Sequence, residues 1–337
     1  MSLKTFSSQM LPAIESELQK QIARVDQPRT ALYHEMLTYH MGWSGEGAGA
    51  EATGKRIRPL MVLLCCAASG GAWQPALPAA AGVELAHNFS LVHDDIQDNS
   101  EKRRGRPTLW TKWGVPQSIN TGDGLFVLSN LALSDLAQSY PPESALRAAQ
   151  VLHEICLRLT CGQHMDISYE ERLDLNEDDY WPMISGKTAA LLAGCCQIGA
   201  ILGGAERQTE NAYHEFGLAL GLAFQVQDDI LGIWGNEALT GKSTASDLLE
   251  GKKSLPVLYG LGQNKEFGKR WKSGPITPQD VQAVAEMLAE EGANAYAQGK
   301  SKEWTDKALA SLEKANPQGQ AGQALRELAD NLLGRNA

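Results

Sequence analysis

The sequence predicts an all-α protein, and three observations carry that expectation. Apolar residues recur at the spacing of one helix face: Leu11, Ile14, Leu18 and Ile22 near the N-terminus, then Leu146, Ala149, Leu152, Ile155 and Leu159. No segment sustains the apolar–polar alternation, rich in β-branched residues, of a half-buried strand. Residues 188–205, "TAALLAGCCQIGAILGGA", are apolar throughout and mostly small, as suits a helix buried on all sides.

Taken in order, the first 22 residues form a helix along the Leu11–Ile22 stripe. Residues 42–55, "GWSGEGAGAEATGK", are Gly-rich and predict a flexible loop. "ELAHNFSLVHDDIQD" is an apolar helix that ends in acid, and the stripe at 146–159 marks another helix. "NEDDYW" reads as a helix start, with Asn176 capping and Asp179 at the third position. The buried helix at 188–205 follows, and "AFQVQDDILG" then ends a second apolar helix in paired aspartates. Residues 262–278 are a polar, Pro-containing loop. Thr277 caps a further helix, with Pro278 at its first position and Asp280 two further on.

The 337 residues show no low-complexity tail, no separating linker and no fixed-period repeat, so one domain spanning 1–337 is expected. The net charge of −10 argues against a nucleic-acid partner or an anionic membrane surface. An anionic substrate would therefore have to be met by a local basic cluster or by metal ions. The six cysteines, Cys65, Cys66, Cys156, Cys161, Cys195 and Cys196, form no C-x-x-C and sit among apolar residues. They read as reduced core thiols of a cytoplasmic protein rather than a zinc site. The N-terminus lacks the apolar core of a signal peptide, and no transmembrane segment is expected.

The acidic ends of the two apolar helices are the candidate chemistry. Residues four apart share a helix face, so Asp94 and Asp98 project together while Asp95 is turned by about 100°. Two such carboxylates repel unless a cation lies between them, and oxygen-only ligands favour a hard one such as Mg²⁺, which retains waters and accepts phosphate oxygens. Asp228 could supply a further ligand from an opposite wall, making a clamp for a diphosphate. Carboxylates at the C-terminal end of a helix are disfavoured by its dipole, so these positions call for a compensating positive charge. "NEDDYW", at a helix start, does not. The positive charge is present in "TGKRIRP" (Lys55, Arg58), "EKRRG" (Arg103, Arg104), "ISGKTAAL" (Lys187, Thr188) and "TGKSTASDLLEGKKSLP" (Lys242, Lys252, Lys253). Arginine pairs suit bidentate phosphate contacts, so at least one diphosphate is implied.

In this order, "GKRIRP", "ELAHNFSLVHDDIQD", "RRGRPT", "GQHMD", "KTAAL", "FQVQDDILG" and "GK…D…GKKSLP" resemble the trans-type (E) polyprenyl diphosphate synthases, from about residue 54 to 256. The resemblance implies an isoprenoid synthase-type helical bundle around a deep central cavity, a homodimer, and three Mg²⁺ ions. Asp94 and Asp98 would bind two of these and Asp228 the third, with Asp95 and Asp229 as indirect partners. Arg103, Lys187 and Lys242 would contact the diphosphate of the allylic substrate (dimethylallyl, geranyl or farnesyl diphosphate). Lys55, Arg58, His87 and Arg104 would hold isopentenyl diphosphate, and Lys252 joins the substrate-binding set. Thr188, Gln225, Gln163 and Asp166 would line the reacting region. Phe89, with Ser90 and Ala86, would set product length: Phe89 lies five residues before Asp94, about 7.5 Å along the axis. An aromatic residue there implies a short chain, geranylgeranyl diphosphate before farnesyl diphosphate.

The sequence departs from the family twice. Gly232 stands where the second motif often carries a third aspartate, and activity is expected to survive that change. The C-terminus lacks a basic cluster, leaving Arg335 alone. Two rival readings are a class I terpene cyclase-like enzyme, which would need only one diphosphate site, and a non-catalytic regulatory subunit of a partner synthase. Lys55, Arg58 and Arg104 argue against the first, and the intact "DDIQD" argues against the second.

Overall fold

The computed structural model describes residues 2–235 and 245–334. Lys242 and Arg335 lie outside the described residues. The described residues are helical almost throughout, as expected. The sheet among them is one hairpin of two-residue strands, Lys102–Arg103 and Arg106–Pro107, paired antiparallel. The chain groups into two compact units, one of residues 1–153, 195–210 and 316–325, the other of residues 154–194, 211–315 and 326–337.

In the first unit the Leu3–Ile22 helix buries Leu3, Phe6, Met10, Ile14, Leu18 and Ile22. The Ile57–Ala68 helix is buried along almost its whole length. The Leu77–Gln97 helix has small residues in its first half (Ala79, Ala80, Ala81, Gly82, all buried), so its neighbour packs close. A Cβ on Gly82 would lie 2.2 Å from Leu133 of the Val115–Ser134 helix. Cys65, Cys66, Cys195 and Cys196 are buried here, and burial pushes the Cys66 thiol up to about 11, which keeps it protonated.

The second unit has its own core. Leu175, Tyr180, Met183, Ile184, Leu222, Val226, Ile230, Leu255 and Leu258 form one cluster. A second cluster gathers Ile233, Leu248, Val257, Phe267, Val284 and Leu288. The stretches Glu177–Leu202 and Arg207–Trp234 are long and apolar enough to cross a membrane, but 78% and 61% of their apolar windows are buried inside the protein, as in core helices.

Several local expectations need correction. Leu146 is 60% exposed; the buried face of its helix runs through Ala145, Ala148, Leu152, Ile155 and Leu159. Cys161 is exposed, unlike the other five cysteines. The 262–278 segment contains a short helix, Glu266–Lys272. Thr277 does not cap the next helix, which runs Val281–Glu290 with Asp280 as its N-cap. Instead the Asp280 carboxylate reaches back to accept from the Thr277 N–H at 2.7 Å, closing one turn ahead of the helix. "NEDDYW" forms the expected capping box: Asn176 Oδ1 accepts from the Asp178 N–H at 2.7 Å, and Asp179 Oδ2 accepts from the Asn176 N–H at 3.0 Å.

Candidate active site

In the first unit, the acidic end of the Leu77–Gln97 helix turns directly into the arginine hairpin. Asp94 lies half-buried in the last helical turn, Asp95 faces inward at 3% exposure, and Asp98 is the exposed C-cap. Asn99 follows with φ of 51°, a left-handed residue of the kind that ends helices. Thr108 Oγ1 and Trp110 Nε1, both donating to Ser100 O at 2.9 Å, fix the chain's exit. The hairpin's two turn residues, Arg104 and Gly105, have φ of 53° and 74°. Both positive values match the primed turns that suit tight hairpins. Glycine adopts that conformation readily, whereas Arg104 holds it with strain of the kind found at functional positions.

The two adjacent arginines point to different partners. Arg103 Nε donates to Asp95 Oδ1 at 2.7 Å. Burial raises the pKa of Asp95, Arg103 opposes that shift, and the charge of Asp98 adds to it. Arg104 Nη1 donates to Ala52 O at 2.8 Å, and its guanidinium lies against Gly54, where a Cβ would come within 2.7 Å. Gly54 (φ 77°) therefore serves both the turn and the close approach of Arg104. Arg106 donates to Tyr39 O, Ser44 O and Glu46 O at 2.7–2.9 Å and stacks on the Tyr39 ring. Residues 42–55 are thus tied down by Arg104 and Arg106 and include a short helix, Ala50–Thr53, in place of the expected flexible loop.

Lys55 is exposed beside this turn. Arg58 Nη1 lies 3.3 Å from His87 Nε2. Arginine has only donors, so His87 must accept. That fits a neutral ring: burial lowers its pKa well below the usual value, and repulsion from Arg58, Arg104, Arg103 and Arg56 adds to the shift. In this geometry His87 holds Arg58 rather than offering a positive charge. Phe89 is 7% exposed, with its ring edge-on to Phe126 at 5.0 Å; Ala86 and Ser90 are buried beside it.

The second unit gathers the remaining set. Residues Ser185–Ala189, "SGKTA", form a π-helical turn, a geometry frequent at functional sites. It lies hard against Gly162, where a Cβ would fall 2.2 Å from the Lys187 N. Lys187 pairs with Asp166. A chain of contacts runs from Thr188 Oγ1 to Gln225 Oε1 (2.7 Å), then from Gln225 Nε2 to Asp229 Oδ1 (2.9 Å). Asp229 also accepts from the Tyr180 hydroxyl (2.8 Å) and the Leu255 N–H (2.9 Å). Burial pushes its carboxyl up to about 7 against these three donors, and nearby Asp247 adds to the rise. Asp228, the next residue back, is exposed, and Gln163 is buried. Lys252 pairs with Glu250 at 2.7 Å and lies 3.7 Å from Asp247.

Asp228 and Asp229 thus divide their tasks: one faces out, the other anchors Tyr180, Gln225 and the start of the Leu255–Gly262 helix. Asp247, Tyr180, Arg56, Glu84 and Glu15 were not singled out in the sequence. Asp247 is the aspartate of "GK…D…GKKSLP", Arg56 lies inside "GKRIRP" and Glu84 opens "ELAHNFSLVHDDIQD", whereas no motif marks Glu15.

The carboxylates suit a hard cation. Among the described residues, no three Asp, Glu, His or Cys side chains close around a metal ion on their own. Exposed, incompletely enclosing oxygen donors such as Asp98 and Asp228 match Mg²⁺, which is commonly bound by one or two carboxylates with waters and substrate phosphates.

The profile of the polyprenyl synthetase family matches residues 48–289. A (2E,6E)-farnesyl diphosphate synthase of Mycobacterium tuberculosis is 36% identical over 90% of this chain and 86% of its own length. A geranylgeranyl diphosphate synthase of the same organism is 38% identical over 83% of this chain and 81% of its own. The crystal structure of a geranylgeranyl pyrophosphate synthetase from Pyrococcus horikoshii superposes with a TM-score of 0.88 at 30% identity, covering 99% of this chain and 98% of that one. With the matched profile spanning most of the chain and both aspartate motifs inside it, the protein belongs to the polyprenyl synthetase family.

Proposed function

We propose that the protein is a transferase that condenses isopentenyl diphosphate with an allylic diphosphate to make a short-chain all-trans polyprenyl diphosphate. The observation that carries this reading is the junction at Asp94–Arg104. Outward carboxylates and two differently directed arginines are held together there by the Arg103–Asp95 pair. Relatives named as farnesyl and geranylgeranyl diphosphate synthases support the same substrate class.

Asp94, Asp98 and Asp228 would hold three Mg²⁺ ions, which supply positive charge to the leaving diphosphate. Arg103, Lys187 and Lys242 bind the allylic diphosphate and stabilise charge as its C–O bond breaks. Lys55, Arg58 and Arg104 bind isopentenyl diphosphate, with His87 steadying Arg58. Lys252, Gln163, Asp166, Thr188 and Gln225 complete the substrate contacts. Apolar walls shield the allylic cation from water, and the isopentenyl double bond attacks it. Both units work as parts of one domain of the family's fold. The chain works in the cytoplasm.

The product is geranylgeranyl diphosphate, with farnesyl diphosphate next, because Phe89, with Ala86 and Ser90 beside it, floors the channel. Incubating the protein with Mg²⁺, isopentenyl diphosphate and each allylic diphosphate, then sizing the products by chromatography, tests the activity. In the same assay Phe89→Ala should lengthen the product by at least one isoprene unit, since a ring is removed from the floor. An unchanged distribution from an active, folded variant would assign length control elsewhere.

The active form is a homodimer. The Val115–Ser134 helix leaves Ile119, Phe126, Val127 and Leu131 on one outward face at 38–55% exposure, a stripe suited to a second copy of the same helix. Light scattering should give two chains per particle, and Val127→Lys should shift the mass toward one. A monomeric wild-type protein would exclude this assembly.

A further inference from the structure

We infer that Arg56, through a buried pairing with Glu84 and Glu15, is the positioning residue of the isopentenyl diphosphate site. The inference rests on the reading that Lys55, Arg58, His87 and Arg104 form that site.

Arg56 lies between two proposed ligands, yet its side chain faces the opposite way. It is 3% exposed, against 4% for Glu84. Its Nε donates to Glu15 Oε1 at 2.6 Å, its Nη1 to Glu84 Oε1 at 2.8 Å, and its Nη2 to Met41 O at 3.3 Å. With its donor directions taken and its head buried, it is no phosphate ligand. The carboxylates are themselves anchored: Trp43 Nε1 donates to Glu15 Oε2 at 2.8 Å, and Asn88 Nδ2 to Glu84 Oε1 at 3.0 Å. One guanidinium therefore joins the Leu3–Ile22 helix, the chain at Met41–Trp43 and the Leu77–Gln97 helix.

The backbone of Arg56 connects this hub to the ligands. Its φ is 48°, left-handed, at the N-cap of the Ile57–Ala68 helix. A non-glycine residue keeps that conformation only where its surroundings over-determine it. The buried pairings do so here, and they send Lys55 outward while Arg58 starts the helix against His87. His87 precedes Asn88, a partner of Glu84, so both sides of the Arg58–His87 contact trace back to one buried carboxylate.

Charge points the same way. Arg56, Arg58, Arg103 and Arg104 crowd together. The pKa of Arg104 is lowered first by burial and then by the other three, while Glu84 opposes that shift. Glu84 is the internal counter-charge that keeps the cluster assembled before a diphosphate arrives.

The test is calorimetric binding of isopentenyl diphosphate, with KM measured for both substrates, on folded Arg56→Gln, Arg56→Lys and Glu15→Gln, with Lys55→Ala as control. Arg56→Gln should weaken isopentenyl diphosphate by about tenfold or more, as misplaced contacts do, and leave the allylic KM within about twofold. Arg56→Lys, which keeps the charge but loses the fork, should fall between it and the wild type. If Arg56→Gln does not fold, Arg56→Lys and Glu15→Gln carry the test, because Glu15→Gln leaves the Arg56–Glu84 pair intact. Equal loss of both substrates, or wild-type affinity in all the folded variants, overturns the inference. Unchanged affinity in Lys55→Ala overturns the site reading itself, and the inference with it.

Discussion

Alanine at Asp94 or Asp98 is expected to cut turnover by roughly two to three orders of magnitude, the range for losing one preorganised electrostatic contact. Asp98→Ala should melt no earlier than the wild type. The two expectations come from one geometry. Asp94 lies in the last turn of its helix and Asp98 caps it, where the dipole disfavours anions. The charge of Asp98 also helps raise the pKa of its buried neighbour Asp95, so the cluster is under mutual repulsion. Carboxylates placed there at a cost to stability are explained by what they bind. Steady-state rates and thermal melts on the same preparations check both halves. A variant with near-wild-type turnover would remove the metal-holding role. A variant that loses turnover only by unfolding would make these residues structural.

The sequence was informative wherever local chemistry sufficed. The capping box at Asn176 needs only neighbours a few residues away, and it forms as expected. Reading failed where the deciding partner is remote. Residues 42–55 look like a flexible loop because glycine dominates them, yet Arg106, some sixty residues on, fastens their carbonyls. Arg56 looks like one more phosphate cation in "GKRIRP" until Glu15 and Glu84 are seen to claim it. The arginine hairpin was missed because two-residue strands are too short to show alternation, and its turn carries arginine where asparagine would have announced it. Leu146 fits the helical stripe by spacing but lies on the other side of the boundary between buried and exposed, which periodicity alone does not place.

Gly232→Asp, which would restore the third aspartate usual in the second motif, is expected to destabilise the metal-free protein. An aspartate there would place its carboxylate one turn after Asp228, on the same face. The space is already taken: a Cβ on Gly232 would lie 2.3 Å from Asp247 Oδ2 and 2.5 Å from its Cγ. Asp247 is 6% exposed, so it has little room to retreat. Forcing a side chain into such a site costs about 1–3 kcal/mol. Aspartate adds a second penalty, because Asp247 already contributes to the raised pKa of buried Asp229, and another negative charge would face both. Gly232→Ala separates the two effects, carrying the steric cost without the charge. Melting temperatures should fall in the order wild type, Gly232→Ala, Gly232→Asp. Mg²⁺ with inorganic diphosphate should recover more of the loss in the aspartate variant, because a cation relieves crowding among carboxylates and does nothing for a displaced methyl. By linkage, turnover of Gly232→Asp should likewise reach half its maximum at a lower Mg²⁺ concentration than the wild type needs. A Gly232→Asp protein that melts with the wild type would show that Asp247 swings aside freely, and the glycine would then be a neutral departure from the motif.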